Sequence, residues 1–362
     1  MADKLLHLFG TADFFPWQFL AALVVSNVVV RFMICVNITD APVSRSAHLK
    51  PTPRAGGVGI VLSFLLITSF FHYNTIFELL PGWPYILSGI LLIAVVKFCD
   101  DINDVRPSLR LVAQLVCSIL MLLAGLMVVF EPGSWWEGQQ VITVGLSALC
   151  FLFAMNATNF ADGLNGLLSG SVLTAVLLAT VDLGLHNIGS DFSKLVIQTL
   201  IIFSGSILGF FVMNFPRAKI FMGDVGSSFL GIMLGVFALI LQQVYKPGFV
   251  LPTVHDGPFT LLFPLSFLWF DVIFTIFRRL ALGRRLSQPH QDHLFHVLYR
   301  CGLSHTFITG LHIFLALILG IANLICHMTD LDDALAAYLY YVLQSIYLVG
   351  VFGLAKHKRI AL

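Results

Sequence analysis

Charged side chains are scarce in this 362-residue chain. Aspartate, glutamate, lysine and arginine make up 11% of the sequence, whereas hydrophobic residues make up 58%, and the mean hydropathy is +0.92. Soluble domains carry about 25% charged residues, and one soluble core could not bury this much apolar surface. The composition therefore excludes an ordinary soluble protein and predicts a polytopic membrane protein.

Three further absences narrow the class of protein. The net charge is only +1, so nothing in the balance of charges favours binding to nucleic acid. The six scattered cysteines form no CxxC and no paired spacing, which favours buried thiols over disulfides or zinc ligands. The opening stretch "MADKLLHLFGTADFF" has no signal-peptide cleavage pattern. We therefore expect the first helix to remain as a membrane anchor.

Long apolar stretches dominate what is present. Each is about 20 residues long, the length that a helix needs to cross a bilayer, and none shows the alternation typical of membrane β-strands. The sequence predicts an all-α fold, a polytopic bundle of 10–11 transmembrane helices that forms one integral-membrane domain over residues 1–362. The eleven predicted spans are 14–36, 56–72, 83–99, 110–130, 141–157, 166–185, 195–214, 226–244, 258–277, 306–327 and 335–354.

Basic residues are divided unevenly among the loops between these spans. Sixteen of the 20 lysines and arginines lie in one set of loops and in the tail from residue 355. The positive-inside rule places this set in the cytoplasm. We therefore expect the N-terminus on the outer side and the C-terminus in the cytoplasm. The basic set comprises the loops 37–55, 97–110, 158–165, 215–225 and 278–305.

The unusual polar clusters all lie in this basic set. The first is "DAPVSRSAHLKPTPRAGGVG" (40–59), which contains Arg45 and His48 among prolines and glycines. It is either an ordinary positive-inside loop or a basic surface that faces an anionic substrate at the membrane.

The second cluster, "KFCDDINDVR" (97–106), places three aspartates at the end of an uncharged run. If the helix continues to about Val105, Asp100, Asp101 and Asp104 share one side, and Pro107 then ends the helix. Carboxylates this close to hydrocarbon are usually functional, as ligands of a divalent cation or as a base. The alternative is a solvated helix end that the neighbouring basic residues balance.

The third cluster, "NATNFADGLNGLLSG" (156–170), repeats an amide or a carboxylate every three residues, at Asn156, Asn159, Asp162 and Asn165. Oxygen atoms at this spacing suit a hard cation or the polar edges of a ligand. Helix capping is the simpler alternative, but a cap needs one such residue rather than four.

The fourth cluster, "PRAKIFMGDVGSS" (216–228), contains Lys219 and brackets Asp224 with glycines just before an apolar run. An aspartate at a helix N-terminus can hold Mg²⁺ beside backbone amides that favour phosphate, although it can also serve only as a cap. The sequence contains no GxxxxGK[ST], so this is not a Walker P-loop.

The fifth cluster, "RRLALGRRLSQPHQDHLFHVLYRCGLSH" (278–305), combines five arginines with four histidines. The spacing of its first three histidines would also suit zinc. The arginines favour an anion such as a diphosphate instead, because they would repel a bound metal ion. We interpret the histidines outside the clusters as incidental polar positions: His72, His186, His255, His312 and His327.

Taken together, "DD", "NxxNxxDGxxGL", "FMGDxGS" and the Arg/His loop resemble the polyprenyl-phosphate N-acetylhexosamine-1-phosphate transferase superfamily, in family order over about Asp40 to His305. The resemblance implies a bundle of ten or eleven helices in the bacterial cytoplasmic (inner) membrane, with the active site at the cytoplasmic face and the N-terminus in the periplasm. It implies transfer of a sugar 1-phosphate from a UDP-activated amino sugar to undecaprenyl phosphate with release of UMP. The implied cofactor is Mg²⁺, with Mn²⁺ as the alternative ion, and a homodimer is a candidate assembly.

The resemblance also implies roles for individual residues. Asp100 and Asp101 match the "DD" pair near the lipid phosphate, whose first member has been proposed as a base, and Arg110 matches a basic residue that contacts phosphate. Asn159 and Asp224 match the positions associated with Mg²⁺. The catalytic candidates are Asp100, Asp101, Asp162 and Asp224. The candidates for substrate binding are Arg45, His48, Arg110, Asn156, Asn165, Lys219, Arg284, Arg285, His290 and His293.

Two departures bear on the chemistry. Asn165 stands where the usual "DGxDG" has its second acid, which argues against an acid or metal-ligand role at that position. "HQDHLFH" places Phe295 within the usual HxH-type signature, and "PHQDHLFH" looks more like the "AHRSHLYQ" of O-antigen transferases for 6-deoxy-HexNAc sugars. We therefore expect a sugar of the fucosamine or quinovosamine kind, with N-acetylglucosamine (GlcNAc) as the rival, and a role in starting O-antigen or another surface polysaccharide.

Three alternative functions stay open at this stage. One is the related peptidoglycan MurNAc-pentapeptide phosphotransferase. Another is a transporter, although transporters place their coupling residues near the bilayer midplane, whereas these clusters all lie at one face. The third is a non-catalytic membrane scaffold, which would not need four clusters rich in acids or amides.

Overall fold

A computed structural model describes residues 16–40, 51–103, 105–129, 138–186, 189–245, 257–285, 288, 290–329 and 334–360. Within these ranges the chain is almost entirely helical, and its only sheet is a short hairpin, so the predicted all-α class is confirmed. Arg45, His48 and Asp104 lie outside the described residues.

The first half of the chain forms five long helices and the hairpin. The hairpin pairs β1 with β2 in antiparallel register, Thr39 opposite Pro53 and Asp40 opposite Thr52. The elements are α1 (Pro16–Val36), β1 (Thr39–Asp40), β2 (Thr52–Pro53), α2 (Gly57–Leu79), α3 (Trp83–Ile102), α4 (Pro107–Val129) and α5 (Gly138–Ala161).

The second half adds long and short helices. One predicted span, 258–277, is a composite in which a 3-10 turn at Phe263–Leu265 joins two helices around Pro264. The elements are α6 (Leu167–His186), α7 (Asp191–Asn214), α8 (Gly223–Tyr245), α9 (Gly257–Leu262), α10 (Ser266–Ala281), α11 (Leu294–Arg300), α12 (His305–Thr329) and α13 (Ala334–His357).

Each of the eleven predicted spans corresponds to helix in the structure. Among the described residues, nine segments are long and apolar enough to cross a membrane. The remaining two predicted spans are α3, which carries Lys97, Asp100 and Asp101 near its C-terminus, and α5, whose described apolar part is the shorter segment Ala148–Ala161. The chain is a multi-pass membrane protein.

The expected course of the chain after "KFCDD" was wrong in one respect. The helix ends at Ile102 rather than near Val105, and Pro107 begins α4 instead of ending α3. Proline suits the first position of a helix because the amide hydrogen that it lacks has no partner there. The C-terminus of α3 and the N-terminus of α4 therefore flank this loop.

Aromatic packing holds the centre of the bundle together. Phe64 of α2 lies 5.5 Å from Phe203 of α7 and 5.7 Å from Phe229 of α8, measured between ring centroids. The outward faces instead expose large apolar side chains, such as Phe70 at 79% and Val349 at 73%. A lipid environment explains this surface, since apolar side chains need not be buried in protein when the solvent is hydrocarbon.

The directions of the helices place the polar clusters together. Helices α3 and α5 end, and α8 begins, at the same end of the bundle, because Lys97 of α3 and Asn159 of α5 both reach Asp224 in the first turn of α8. We call this the site end. Since α6 begins at Leu167, just after "DGLNG", and α12 begins at His305, which accepts a hydrogen bond from the Asn165 amide, both helices run from the site end to the far end.

Candidate active site

Asp224 is the point where three helices meet. Its Oδ2 lies 3.0 Å from the ammonium nitrogen of Lys97 and accepts a hydrogen bond of 3.2 Å from the Asn159 amide. The Ser227 hydroxyl donates to the side-chain oxygen Oδ1 of Asn159 at 3.4 Å. Lys97 is buried, whereas the Asp224 side chain is 31% exposed. The accessible Asp224 carboxylate thus lies between the buried Lys97 ammonium and the Asn159 amide, which the Ser227 hydroxyl contacts in turn.

The backbone around Asp224 is fixed by the hairpin end. Amides of residues 56 and 57 donate to the carbonyls of Phe221 and Met222, and the Phe221 amide donates to Pro53. Gly223 has φ +74°, and a Cβ there would lie 2.7 Å from Oδ2 of Asp101 and 3.0 Å from the Ala55 amide nitrogen. Only glycine allows α8 to begin this close to the end of α3.

Asp101 faces this junction with an unused oxygen. Its side chain is 4% exposed, and its Oδ2 has no hydrogen-bond partner among the described residues. The other oxygen lies 3.8 Å from the Arg54 guanidinium, which also donates to the Asp101 carbonyl. A buried carboxylate oxygen without a partner is costly, so this atom is positioned to receive a ligand.

Asp100 points to a different partner. Its Oδ2 lies 2.9 Å from the Arg110 guanidinium, and its Oδ1 accepts a 2.9 Å hydrogen bond from the Val105 amide. The carboxylate is 7% exposed and the Arg110 side chain 37% exposed. Both oxygens of Asp100 are therefore occupied in holding Arg110 and the loop, a geometry that fits a positioning residue better than a free base.

The structure brings Asp162 to the same end of the bundle, in the loop after α5. The protein around this half-buried carboxyl group, and next the negative charges of Asp224 and Asp101, raise its pKa to about 7. These charges act on Asp162 because the ends of α3 and α5 and the start of α8 converge. Four carboxyl groups predicted from three clusters of the sequence thus share one region, in which the charges of Asp224 and Asp101 act on Asp162.

The two predicted asparagines at the ends of the third cluster have structural partners. Asn156 lies deeper, where it exchanges 3.4 Å contacts with Gln114 and donates to the Leu152 carbonyl at 2.8 Å. The side-chain amide of Asn165 donates to the Pro216 carbonyl at 3.4 Å. The backbone carbonyl of Asn165 accepts a hydrogen bond of 2.7 Å from the Thr309 hydroxyl. Asn165 therefore ties the loop to the segment before α8.

The charged groups of the Arg/His loop are organised around one acid. Asp292 forms an ion pair with Arg279, accepts a longer 3.4 Å contact from Arg284, and has a carbonyl that accepts a 3.0 Å bond from Arg278. The Arg279 guanidinium also donates to the Arg285 carbonyl at 2.7 Å. Arg284 remains 45% exposed.

The histidines of the loop are placed by a second buried acid, Asp271 in α10. Its two oxygens accept the Leu294 and Phe295 amides at 2.8 and 3.1 Å, and Oδ1 lies 3.2 Å from Nδ1 of His293. Desolvation, and next the charges of His293 and Arg279, lower the pKa of His290 to about 4. His290 is therefore neutral near pH 7.

This loop closes onto the third cluster. The rings of His293 and Phe160 lie 6.2 Å apart, and Phe295 stacks on His293 at 5.2 Å. A Cβ at Gly163 would lie 2.6 Å from the Phe295 ring and 2.9 Å from His296. The absence of a side chain at Gly163 thus lets the Arg/His loop pack against the loop that carries Asp162.

Several predicted residues lie at the margin. Lys219 is exposed in the segment between α7 and α8, and Arg285 is exposed as well.

The sequence did not identify Asp271, Asp292 and Gln114, and it indicated Lys97 only as a balancing charge. Asp271 had a usable signal, since a lone acid within an apolar run is rarely incidental.

The donor set around Asp224 fits a hard cation. It offers the Asp224 carboxylate, the unpartnered Oδ2 of Asp101 and the amide of Asn159, and Mg²⁺ prefers oxygen ligands of this kind. In the structure the nitrogen of the Asn159 side-chain amide faces Asp224. A half-turn of this amide would exchange its nitrogen and oxygen and direct the oxygen at the ion. Lys97 already supplies one positive charge at this position.

Known proteins are similar in sequence to this chain over the helices that carry the site. The glycosyl transferase family 4 profile matches residues 83–242, which extend from α3 to α8 and include Asp101, Asn159 and Asp224. A Bacillus subtilis protein named a probable undecaprenyl-phosphate N-acetylglucosaminyl 1-phosphate transferase is 27% identical over 346 residues, 94% of this chain and 91% of its own.

Two further relatives carry related names. The decaprenyl-phosphate N-acetylglucosaminephosphotransferase of Mycolicibacterium smegmatis is 30% identical over 284 residues, 73% of this chain and 69% of its own. A phospho-N-acetylmuramoyl-pentapeptide-transferase of Streptococcus thermophilus is 31% identical over 210 residues, 53% of this chain and 59% of its own.

The fold and the site together show an all-α, multi-pass membrane protein whose acids, amides and arginines converge at one end of a helix bundle. Within that class, the chain belongs to the polyprenyl-phosphate N-acetylhexosamine-1-phosphate transferase family. The family resemblance predicted from the motifs is therefore confirmed.

Proposed function

We propose that the protein transfers an N-acetylhexosamine 1-phosphate from a UDP-sugar to undecaprenyl phosphate and releases UMP. The observation that carries this proposal is the convergence on Asp224, where Lys97 and Asn159 contact one accessible carboxylate and the unpartnered oxygen of Asp101 lies beside the preceding residue, Gly223. A site that combines cationic groups with oxygen ligands suits a diphosphate more than a neutral sugar.

In the proposed reaction, an oxygen of the lipid phosphate attacks the β-phosphorus of the UDP-sugar. The bond from that phosphorus to the bridging oxygen breaks, and UMP leaves with the oxygen. Phosphoryl transfer of this type depends mainly on positioning and on charge stabilisation. Since a lipid phosphate is already largely ionised near neutral pH, the reaction does not require Asp100 as a base, which agrees with the pairing of Asp100 to Arg110.

Two groups of residues would hold the two substrates. Arg110, fixed by Asp100, would bind the lipid phosphate at the edge of the bundle. The Arg/His loop would cover the nucleotide diphosphate, because Arg284 is exposed while Asp292 and Asp271 hold the loop in place. Lys219 and Arg285, which are exposed, would extend the proposed substrate-binding surface. Arg45 and His48, which lie outside the described residues, stay predicted substrate-binding residues on the sequence alone.

Mg²⁺, with Mn²⁺ as the alternative, would be held by Asp224, Asn159 and Asp101 and would neutralise the charge of the diphosphate. Lys97 would shift its ammonium from Asp224 toward a phosphate oxygen, and Ser227 would keep Asn159 oriented. Asp162 would complete the acidic centre beside them.

The donor sugar is the finer part of the proposal. The names of the B. subtilis and M. smegmatis relatives favour UDP-GlcNAc. The "HLFH" signature favours a fucosamine or quinovosamine donor, and Phe295, which separates its histidines, packs against Gly163. We place UDP-GlcNAc first and the 6-deoxy sugars second, and we propose the bacterial inner membrane and the start of O-antigen or another surface polysaccharide as the setting.

A donor panel tests this proposal. Purified protein is incubated with undecaprenyl phosphate and, separately, UDP-GlcNAc, a UDP-6-deoxy-HexNAc and UDP-MurNAc-pentapeptide, and UMP release is measured with and without EDTA. We expect metal-dependent release with a HexNAc donor. Release only with the pentapeptide donor would favour the second candidate, which rests on the S. thermophilus relative, and the absence of release with all three would contradict the proposal.

A further inference from the structure

A second polar cluster lies at the far end of the bundle. Asp182 and His186 occupy the last turns of α6, and His327 lies near the end of α12. In the sequence, both His186 and His327 are interpreted as incidental polar positions. Since α6 and α12 begin at the site end, and α6 has 20 residues, the helix rise of 1.5 Å per residue separates this cluster from Asp224 by about 30 Å.

Three metal-ligating atoms converge in this cluster. Oδ1 of Asp182 lies 3.1 Å from Nδ1 of His186 and 2.9 Å from Nδ1 of His327, and the three residues offer ligand atoms within 4.8 Å of one another. Zinc bonds of about 2.0–2.2 Å in a tetrahedron place neighbouring ligand atoms about 3.3 Å apart. The oxygen-to-nitrogen distances therefore need to open by a few tenths of an ångström. A bound ion would also replace the 2.9 Å hydrogen bond that Nδ1 of His186 donates to the backbone carbonyl of Asp182.

The second oxygen of Asp182 is held by hydrogen bonds of the kind that orient a metal-binding carboxylate. It accepts hydrogen bonds of 2.6 Å from the Tyr245 hydroxyl and 3.0 Å from the Thr260 hydroxyl. Asn323 in turn donates to Thr260 at 3.2 Å. Outer-shell partners of this kind orient a ligating carboxylate and leave its other oxygen directed at the ion.

The accessibility of the cluster also suits an ion. The Asp182 side chain is 1% exposed, so its charge needs compensation within the protein. The His186 and His327 side chains are 23% and 18% exposed, and their rings stack at 4.0 Å with an angle of 13°. The histidines thus form an open side through which an ion could enter and where water could supply a fourth ligand.

We propose that Asp182, His186 and His327 form a second metal site, for a divalent ion of the zinc class, at the far end of the bundle. Two imidazoles and one carboxylate favour a borderline ion such as Zn²⁺ over Mg²⁺, which prefers oxygen ligands. The ion would tie the end of α6 to the end of α12, and through Tyr245 and Thr260 to α8 and α9. Its role is structural and does not depend on the proposed transferase reaction.

Cobalt binding provides the test. Protein without an affinity tag is stripped with chelator and titrated with Co²⁺, whose visible bands report tetrahedral nitrogen and oxygen ligands, and the zinc content before stripping is measured by mass spectrometry. We expect about one tightly bound ion with these bands. His186→Gln and His327→Gln should each weaken binding by about a hundredfold or more, and Thr260→Val by about tenfold, as outer-shell changes do.

Two controls separate this site from the rest of the protein. Asp224→Asn should keep the cobalt bands, since it alters only the site end, and His357→Gln should keep them because it removes an exposed histidine elsewhere. Each variant is checked for a single elution peak and an unchanged melting temperature without metal, and if His327→Gln fails to fold, His186→Gln decides. If the wild type binds no Co²⁺ with these bands, or His186→Gln binds like His357→Gln, the cluster is only a hydrogen-bonded triad and the proposal is wrong.

Discussion

Asp100 and Asp101 are neighbours in the chain, yet their carboxylates have different surroundings. Asp100 uses one oxygen for Arg110 and the other for the Val105 amide, whereas Asp101 leaves Oδ2 without a partner beside Gly223. Successive residues of a helix point about 100° apart, so one turn can present one acid to each substrate. We infer that Asp100 acts through Arg110 and that Asp101 acts at the centre of the site.

A double-mutant cycle tests this division. Asp100→Asn and Arg110→Gln should each lower kcat/KM for undecaprenyl phosphate by about tenfold to a hundredfold, because each change breaks the same 2.9 Å ion pair. The double variant should be no worse than the more damaged single variant, as is typical of residues that act as one unit, with a coupling of about 1–3 kcal/mol. The measurement is steady-state UMP release at varied lipid phosphate.

The matched control for this cycle is the exposed ion pair of Asp191 with Lys194, 3.1 Å apart at the far end of the bundle. Asp191→Asn and Lys194→Gln should leave kcat/KM unchanged, since exposed pairs contribute little. If the effects of Asp100→Asn and Arg110→Gln simply multiply, Asp100 has a role of its own and its description as a positioning residue is wrong.

At the scale of elements, the start of α8 depends on one glycine. Gly223→Ala adds a Cβ 2.7 Å from Asp101 and 3.0 Å from Ala55, and it also places alanine at φ +74°. Gly283→Ala places alanine at φ +66°, where no atom lies within 4 Å, so it shares the backbone strain without the contact. That strain costs about 1–2 kcal/mol in either variant.

We therefore expect Gly223→Ala to lower the melting temperature more than Gly283→Ala does and to lower kcat at least tenfold, because α8 must move away from α3 and take Asp224 with it. The measurements are thermal unfolding in detergent and UMP release. Equal losses of stability in the two variants, or an unchanged kcat in Gly223→Ala, would show that the contact between Gly223 and Asp101 does not position the site.

Sequence reasoning located the elements better than their partners. Apolar runs predicted eleven spans, and each corresponds to helix in the structure, because a bilayer imposes one length and one composition on its spans. The loop at Pro107 was misjudged because proline can end one helix or begin the next. Clusters of acids and amides identified Asp224, Asn159 and Asp162 as neighbours only through the family resemblance, since nothing in the chain itself states that α3, α5 and α8 meet.

Asp271 and Asp182, two of the residues that the sequence did not identify, share one property. Asp271 contacts His293, 22 positions later, and Asp182 contacts His327, 145 positions later. Each is a single acid within an apolar run, and its partner is set by helix packing rather than by local spacing. A buried charge within a membrane span indicates that a partner exists, but the sequence alone does not say which one.

At the scale of the whole molecule, the distribution of basic residues predicts that the site end faces the cytoplasm. Single cysteines test this in a variant whose six native cysteines are replaced. Lys194→Cys, exposed near the start of α7 at the far end, should react with a membrane-impermeant maleimide in intact spheroplasts. Lys358→Cys, exposed just after α13, should react only after permeabilisation. The reverse pattern of labelling would contradict the predicted orientation.

The central claim is that the site around Asp224 transfers a phosphoryl group together with its sugar. The most direct measurement uses UDP-GlcNAc with ³²P in the β-phosphate, purified protein and undecaprenyl phosphate, with Asp224→Asn and Asp191→Asn compared. We predict β-label in the organic-extractable lipid and unlabelled UMP in water. This transfer should fall by about a thousandfold in Asp224→Asn, because the variant would lose a carboxylate ligand of the metal ion that stabilises the reacting phosphates, and it should be retained in Asp191→Asn. Label that stays in water-soluble UDP while sugar enters the lipid, or full activity in Asp224→Asn, would contradict the account.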